Sequence, residues 1–400
     1  MPASTGPSDP HPHRSSRRSF LLGLMACGAA AALAGCQTGL PAGPASPRAS
    51  GASAAAKPAG WDGLVQAAVK EGSVNVYGGI AGGQEALTGP FEQAFPGIKV
   101  NGTFLPAGDL VSRLLAERTA KKFIADVTVG LSGESVTTLK PAGALSPLEP
   151  ALLLPEVTDL SAWLDKQLWW MDANTPNSTL QFHGYVATSV AYNSKLVDPA
   201  QFHTYRDLLD PKWKGKIVAY DIRRRGGGGG QTRFIYNHPD LGPTFMQQLF
   251  SGITLSADQR QMVDWLGQGR YLIGLWIGGT EMNAGVKQGL PVAQVPGDQF
   301  KEGSPLSAGG GTVSLVDSAP HPNAARVLIN WLLSREGQTT WQRKVLLPSL
   351  RVDVSREGLD PTVVPTDGKT YVDSDTEEYI RRTPPDVISN LITKAIETQG

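Results

Sequence analysis

The sequence predicts an α/β fold on mainly parallel sheet, because a short apolar run, a glycine-rich turn and a helix-periodic stretch follow one another twice. The first instance is Val74–Tyr77, then Gly78-Gly79-Ile80-Ala81-Gly82-Gly83, then Leu87, Phe91 and Phe95 at four-residue spacing. The second is Lys216–Tyr220, the glycine run Gly226–Gly230, and a helical stretch from about Gln231. Short apolar runs without alternation suit strands covered on both faces.

The remaining elements follow in order. Trp61–Lys70 has helical spacing and is ended by Glu71-Gly72. Pro96-Gly97 stops the helix carrying Leu87 and Phe91, since proline cannot continue the hydrogen-bond ladder. Ile98 and Val100 alternate with polar positions as a strand. Asp109 is a good N-cap for a helix that turns Leu110, Leu114 and Leu115 inward. Asp126–Val129 reads as a strand with a turn at Gly130–Gly133. Further strands are expected at Tyr271–Trp276, running into Gly278-Gly279-Thr280, at Pro291–Val295 and at Thr312–Val316. A helix capped at Asn323 places Ala324, Leu328, Trp331 and Leu332 on one face, and a terminal helix spans about Pro385–Ile396.

The first 36 residues carry an address. Ser16-Arg17-Arg18-Ser19-Phe20-Leu21 is a twin-arginine opening of the kind that exports folded proteins. The apolar run from Phe20 to Leu33 is 14 residues, below the roughly 18 that a spanning helix needs. Leu33-Ala34-Gly35-Cys36 then has the form of a lipoprotein cleavage site, with Cys36 as the lipid attachment point. An ordinary signal peptide with an incidental cysteine is the alternative. Residues 1–35 are therefore expected to be a signal, and 36–60, rich in Ala, Gly, Pro and Ser, a flexible tether to the membrane. Cleavage before Cys36 also removes Cys27, so no intramolecular disulfide is expected. It shifts the formal charge from zero to about minus two, which leaves no basic field for nucleic acid. The body that remains is long enough for two domains.

Several phrases of the body resemble one family. Trp61-Asp62-Gly63-Leu64 through Val74-Asn75-Val76-Tyr77 is similar to the mature start of the type II periplasmic solute-binding proteins of ABC importers. Val190-Ala191-Tyr192-Asn193 resembles that family's crossing into the second domain, and Tyr205 through Pro211-Lys212-Trp213-Lys214-Gly215-Lys216-Ile217 the phrase before its strand. Asn323-Ala324-Ala325-Arg326 through Ser334, with Glu336-Gly337-Gln338, resembles the helix after the return crossing. The branch of ferric-iron, thiamine, polyamine and phosphonate binders is the most similar. The resemblance implies a two-lobe fold with two crossing hinge strands, lobe one at 61–187 plus 315–400 and lobe two at 188–314. It also implies a monomer that binds a small molecule between the lobes and passes it to an importer permease.

In open α/β sheets, ligands sit beyond the carboxyl ends of strands. That rule points to Gly78–Gly83, with Gly79, to Gly130–Ser135, with Ser132, to His183–Tyr185, to Asp221–Gly230, and to Trp276–Thr280. Gly309–Thr312 joins them at the return crossing. Arg223-Arg224-Arg225 before Gly226 and Gly227 could cradle an oxyanion with guanidinium forks and free amides. Alternatively it is a solvated cluster before a flexible turn; in an extended run one or two of the three arginines at most can face a cleft. Trp276 either stacks on a ligand or closes the core, while Gly278 and Thr280 lead into the next helix. Trp163, Trp169-Trp170 and Trp331 read as packing.

Iron tests the branch. The nine tyrosines include no adjacent pair, such as that family's iron binders supply, and the histidines show no metal-ligand spacing. No metal site and no cofactor are expected; His183 and Tyr185 suit hinge packing better than ligation. Asp221 or Glu281 could answer a cation, which keeps a polyamine open. Motifs for a hydrolase are missing, so a binding protein for a small anion or anionic chelate is the expectation. A sensor partner of a membrane kinase, a binder of ferric iron or a polyamine, and least of all a secreted enzyme, are the alternatives.

Overall fold

A computed structural model describes residues 60–224 and 227–397. The expected signal, Cys36, nearly all of the expected tether, Arg225 and Gly226 lie outside the described residues. The chain opens with α1 (Gly60–Glu71), β1 (Ser73–Gly78), α2 (Gly83–Ala94), β2 (Lys99–Phe104), α3 (Ala107–Thr119), β3 (Val127–Val129) and the short α4 (Ser132–Glu134). After α5 (Pro155–Thr158), β4 (Trp169–Trp170) and β5 (Thr179–Gln181) it crosses through β6 (Tyr185–Val186). The next stretch holds β7 (Val190–Asn193), β8 (Ile217–Tyr220), α6 (Gly229–Asn237), α7 (Gly242–Phe250) and β9 (Thr254–Ser256). It continues with α8 (Gln259–Gly267), β10 (Ile273–Leu275), α9 (Gly279–Lys287) and β11 (Val292–Gln294). The return runs through β12 (Leu306–Ser307), β13 (Thr312–Leu315), α10 (Pro322–Leu333), α11 (Arg335–Val345), α12 (Glu377–Arg382) and α13 (Pro385–Glu397).

These strands make two sheets, in the orders β2-β1-β3-β13-β5-β4 and β11-β7-β10-β8-β9. In each, the strands that lead into glycine turns are parallel: β1 with β2 and β3, and β8 with β9 and β10. β6 and β12 pair with each other, Leu306 opposite Val186 and Ser307 opposite Tyr185, and link the sheets. This is the two-lobe α/β fold with two crossing strands that the family resemblance implies.

Each sheet carries its own core. Around the first, Val76, Phe91, Val129, Trp163, Trp331 and Trp341 are buried together, and Phe91 meets Trp331 edge-on at 5.5 Å. Tyr77, Leu110, Leu114 and Leu139 fill its other face. The tryptophans expected to pack, Trp163, Trp169 and Trp331, do so. Around the second sheet, Ile217, Phe245, Phe250, Met262 and Trp276 form a separate cluster. That cluster also takes Ile388, Ile392 and Ala395 of α13, although the expected division of the chain places residues 315–400 with the first lobe. The chain reaches α13 by a third pass, in which Leu306 of β12 bridges to Asp373 and its amide bonds to the Val372 carbonyl at 2.9 Å.

Two caps differ from the expectation. α3 begins at Ala107 after Pro106, so Asp109 sits inside the first turn, where its charge still suits the helix dipole. Asn323 is likewise inside α10, whose N-cap is His321. The Glu71 carboxylate, at the end of α1, takes the capping role. It accepts from the backbone amides of Asn323 at 3.1 Å and Ala324 at 2.7 Å, and from the Asn323 side chain at 2.6 Å. A local cap was expected, and a carboxylate 252 residues away in sequence supplies it. Glu71→Ala should therefore cost about 1–2 kcal/mol of stability. A urea midpoint lowered at unchanged slope checks this.

Candidate ligand-binding cleft

The carboxyl ends of β1, β3, β8 and β10 deliver their turns to one cleft of about 1130 Å³. From the first lobe come Gly79, the start of α3 at Ala107 and Gly108, Gly130 and Ser132. From the second come Arg224, Gly227–Gln231, Trp276 and Gly278, and the crossing strands add Tyr185 and Ser307. Of the residues expected to bind, Gly79, Ser132, Tyr185, Arg224, Gly227, Trp276 and Gly278 thus meet in one place.

The glycines on the first-lobe side are there for close approach. A Cβ on Gly79 would lie 2.6 Å from the Gly130 carbonyl oxygen, and one on Gly130, at φ +84°, would lie 2.9 Å from that of Gly310. Three turns therefore pack backbone against backbone. Their amides are already engaged: Gly79 donates to Val129 at 2.8 Å, Gly130 to the Thr312 carbonyl at 2.8 Å, and Ser132 to the Thr312 hydroxyl at 3.0 Å. Amides without an intrahelical acceptor reach the cleft instead at the first turns of α3 and α6.

On the opposite side, Gly228 (φ +94°) ends the arginine–glycine turn and packs against Ile222 and Trp276. Trp276 itself has φ +58°, a costly conformation for a bulky residue and one that recurs at functional sites. Its ring is 3% exposed and stacks on Phe250 at 5.4 Å, and its Nε1 has no partner among the described residues. Trp276 is thus a core aromatic with one edge in the cleft. The Gly278 amide donates to Gln259 Oε1 at 2.6 Å, and the Glu281 carboxylate lies beside it, so the start of α9 is largely answered from within. Thr280 is not part of the cleft lining.

Arg223 is turned away. Its guanidinium holds Asp221 at 2.8 and 2.9 Å and reaches Thr393 of α13 at 3.2 Å; that pairing keeps the Asp221 carboxyl below its usual range. Asp221 is thereby neutralised. Arg224 is left as the one arginine of the expected cluster that lines the cleft among the described residues.

Polar residues of the cleft missed in sequence include Arg233, Ser307 and Asp375. Arg233, one turn into α6, pairs with Asp375 and donates through Nε to the Ser374 carbonyl at 2.9 Å. Arg233 could have been found, because a residue four past Gly229 shares a face with the helix start. Asp375 leaves no local sign. Ser307 donates to Asp375 Oδ2 at 3.2 Å and is in hydrogen-bond contact with the Tyr185 phenol. Beneath them, burial and the neighbouring Asp375 push the Asp373 carboxyl well above the usual carboxylate range.

His183 and Tyr185 hold the hinge. The His183 ring is fully buried, accepts from Trp341 Nε1 at 3.0 Å and is driven down to about 4 by burial, so it stays neutral. Burial raises the Tyr185 phenol above its ordinary value, which keeps it protonated. No group of three or more His, Cys, Asp or Glu suited to a metal occurs among the described residues, and none of their helices is long and apolar enough to span a membrane. A second cavity, of about 480 Å³, lies beside Phe234, Lys301 and Tyr371, and its Asp298 is paired with Lys369 at 3.4 Å and Tyr371 at 2.7 Å.

Residues 78–339 match the family described as bacterial extracellular solute-binding protein, and the chain belongs to it. No curated protein sequence matches. Among solved structures, iron-bound HitA of Pseudomonas aeruginosa is 18% identical with a TM-score of 0.59, covering 81% of this chain and 99% of its own. The Trichodesmium FutA (IdiA) complex with iron and citrate is 18% identical with a TM-score of 0.60, covering 81% and 99%. AfuA of Actinobacillus pleuropneumoniae, with fructose 6-phosphate bound, is 19% identical with a TM-score of 0.55, covering 80% and 96%. At these identities the likeness is one of fold, and the fold and family are those of binding proteins rather than enzymes.

Two tests follow from this geometry. Gly79→Ala forces a methyl against the Gly130 carbonyl and should cost about 1–3 kcal/mol, read as a lowered thermal midpoint. His183 titrates near 6.5 when unfolded and near 4 when folded. Its contribution is therefore complete above about pH 6.5 and is lost as pH falls toward about 4, on the order of 3 kcal/mol in all. Urea unfolding across that window should fall less steeply for His183→Gln than for the native chain.

Proposed function

We propose that this chain captures a small anionic solute, or a metal ion carried by an anionic chelator, and hands it to the permease of an ABC importer. The observation that carries this reading is the convergence of two helix starts, α3 and α6, with Arg224 and Arg233 on one cleft between two lobes. Neighbours of this fold described with iron and citrate, or with fructose 6-phosphate bound, support the reading. Direct ferric binding through phenolates is disfavoured: Tyr185 is the one tyrosine in the cleft among the described residues, and it is held protonated.

In this account the lobes close over the ligand about β6 and β12, and the permease recognises the closed form. Lobe one comprises 61–187 with 315–400 and lobe two 188–314, with α13 docked on the second. The protein is exported by the twin-arginine route, trimmed before Cys36, and held at the outer face of the membrane by lipid and the 36–60 tether. It works there as a monomer without a cofactor.

A thermal-shift panel tests the ligand class: inorganic phosphate, phosphonates, ferric citrate, bare ferric iron, polyamines and thiamine. An anion at a hundred times its dissociation constant should add about 2.7 kcal/mol of stability. Arg224→Ala should weaken binding of the stabilising anion by tenfold or more, about 1.4 kcal/mol, whereas Arg223→Ala should leave it nearly unchanged. Stabilisation by a polyamine or bare iron alone contradicts the anion reading.

A further inference from the structure

A carboxylate of the chain itself already sits beside the α6 start in the cleft. Asp375 lies against Gly230, the second residue of α6: a Cβ there would come within 2.9 Å of Oδ1 and 3.2 Å of Oδ2. Only glycine leaves room for the carboxylate. The same oxygens take Arg233 and the Ser307 hydroxyl. Two donors suited to an oxyanion, a guanidinium and a hydroxyl, thus converge on one side chain that lies beside a helix N-terminal turn.

A second observation marks the spot as unfinished. Ser374 is fully buried, and its Oγ, which a Cβ on Gly230 would meet at 3.1 Å, has no partner among the described residues. An orphaned buried hydroxyl beside an oxyanion cradle is costly unless some state of the protein uses it. Asp375 nevertheless lines the cleft and keeps some solvent exposure, so it can be reached and displaced.

We propose that Asp375 is a tethered stand-in for the anionic group of the ligand. With the cleft empty it holds Arg233 and blocks the approach to the α6 turn, and an entering anion takes Arg233, the turn amides and the Ser374 hydroxyl as Asp375 moves aside. The proposal rests on the anion reading of the cleft and adds that affinity is set partly by an internal competitor. It makes Arg233 a ligand-binding residue and Asp375 a residue that tunes affinity. Because Asp375 lies on the pass that leads to α12 and α13, the exchange also loosens the segment tying the two lobes together.

The test titrates the full chain with inorganic phosphate and with citrate by calorimetry, in the native protein, Asp375→Asn, Arg233→Gln and the double variant. Asp375→Asn keeps the shape and removes the competing charge, so the better-bound anion should bind at least about fivefold tighter, ~1 kcal/mol. Arg233→Gln should weaken it tenfold or more, and in the double variant the gain should vanish. Thermal unfolding without anion confirms that each variant is folded. If the native chain binds and Asp375→Asn binds equally or more weakly, the stand-in is overturned while the anion reading stands. If no variant binds either anion at millimolar concentration, both fall together.

Discussion

Parallel strands impose the constraint from which the cleft follows. Each must leave its sheet at the carboxyl edge and turn into a helix whose first amides have no partner within that helix. When two such sheets face one another across a short crossing ladder, their unsatisfied helix starts are gathered into one space. Here β2 feeds α3 and β8 feeds α6, and both helix starts open onto the same cleft. Glycines at 79, 130 and 310 let the turns of the first lobe close on each other, leaving the wall thin and backbone-lined. The polarity of the site is thus a consequence of topology before any side chain is considered.

Side chains then decide how open that polarity remains. The start of α9 is answered by Gln259 and Glu281, while Asp375 sits beside the start of α6 and holds Arg233. The first is a local arrangement on neighbouring elements of one lobe. The second is a loan from the C-terminal segment, which binds both lobes. Glu377 accepts from Ala173 at 2.9 Å and its amide bonds Met171 at 2.8 Å on one side, while Asn237 meets Thr383 at 2.9 Å on the other. The segment that supplies Asp375 to the cleft is therefore also the one that ties the two lobes together.

The architecture was open to reading from sequence because its signals are local. Val74–Tyr77 and Lys216–Tyr220 are apolar runs followed by glycine, and the structure places strands within one residue of both. Most of the turns that line the cleft were found by the same rule, although the start of α3 at Ala107 and Gly108 was not. What escaped were pairings across long stretches of chain. Glu71 displaced Asn323 as the α10 cap because a carboxylate at the end of α1 lies beside that helix only after folding. The local pairing of Arg223 with Asp221, by contrast, was one of the two roles that the sequence offered for Asp221. Asp375 sits 142 residues from Arg233 in a segment with no periodicity, and nothing short of the fold brings them together.

The most direct test of the cleft as an anion site is amide hydrogen exchange on the protein with and without the anion that most raises its melting temperature. The account predicts slowed exchange at Gly229–Gln231 and at Ala107–Gly108, on facing lobes, with the amides around Lys301 and Tyr371 at the second cavity unaffected. Protection confined to the second cavity, or spread evenly with no focus at the two helix starts, would contradict it.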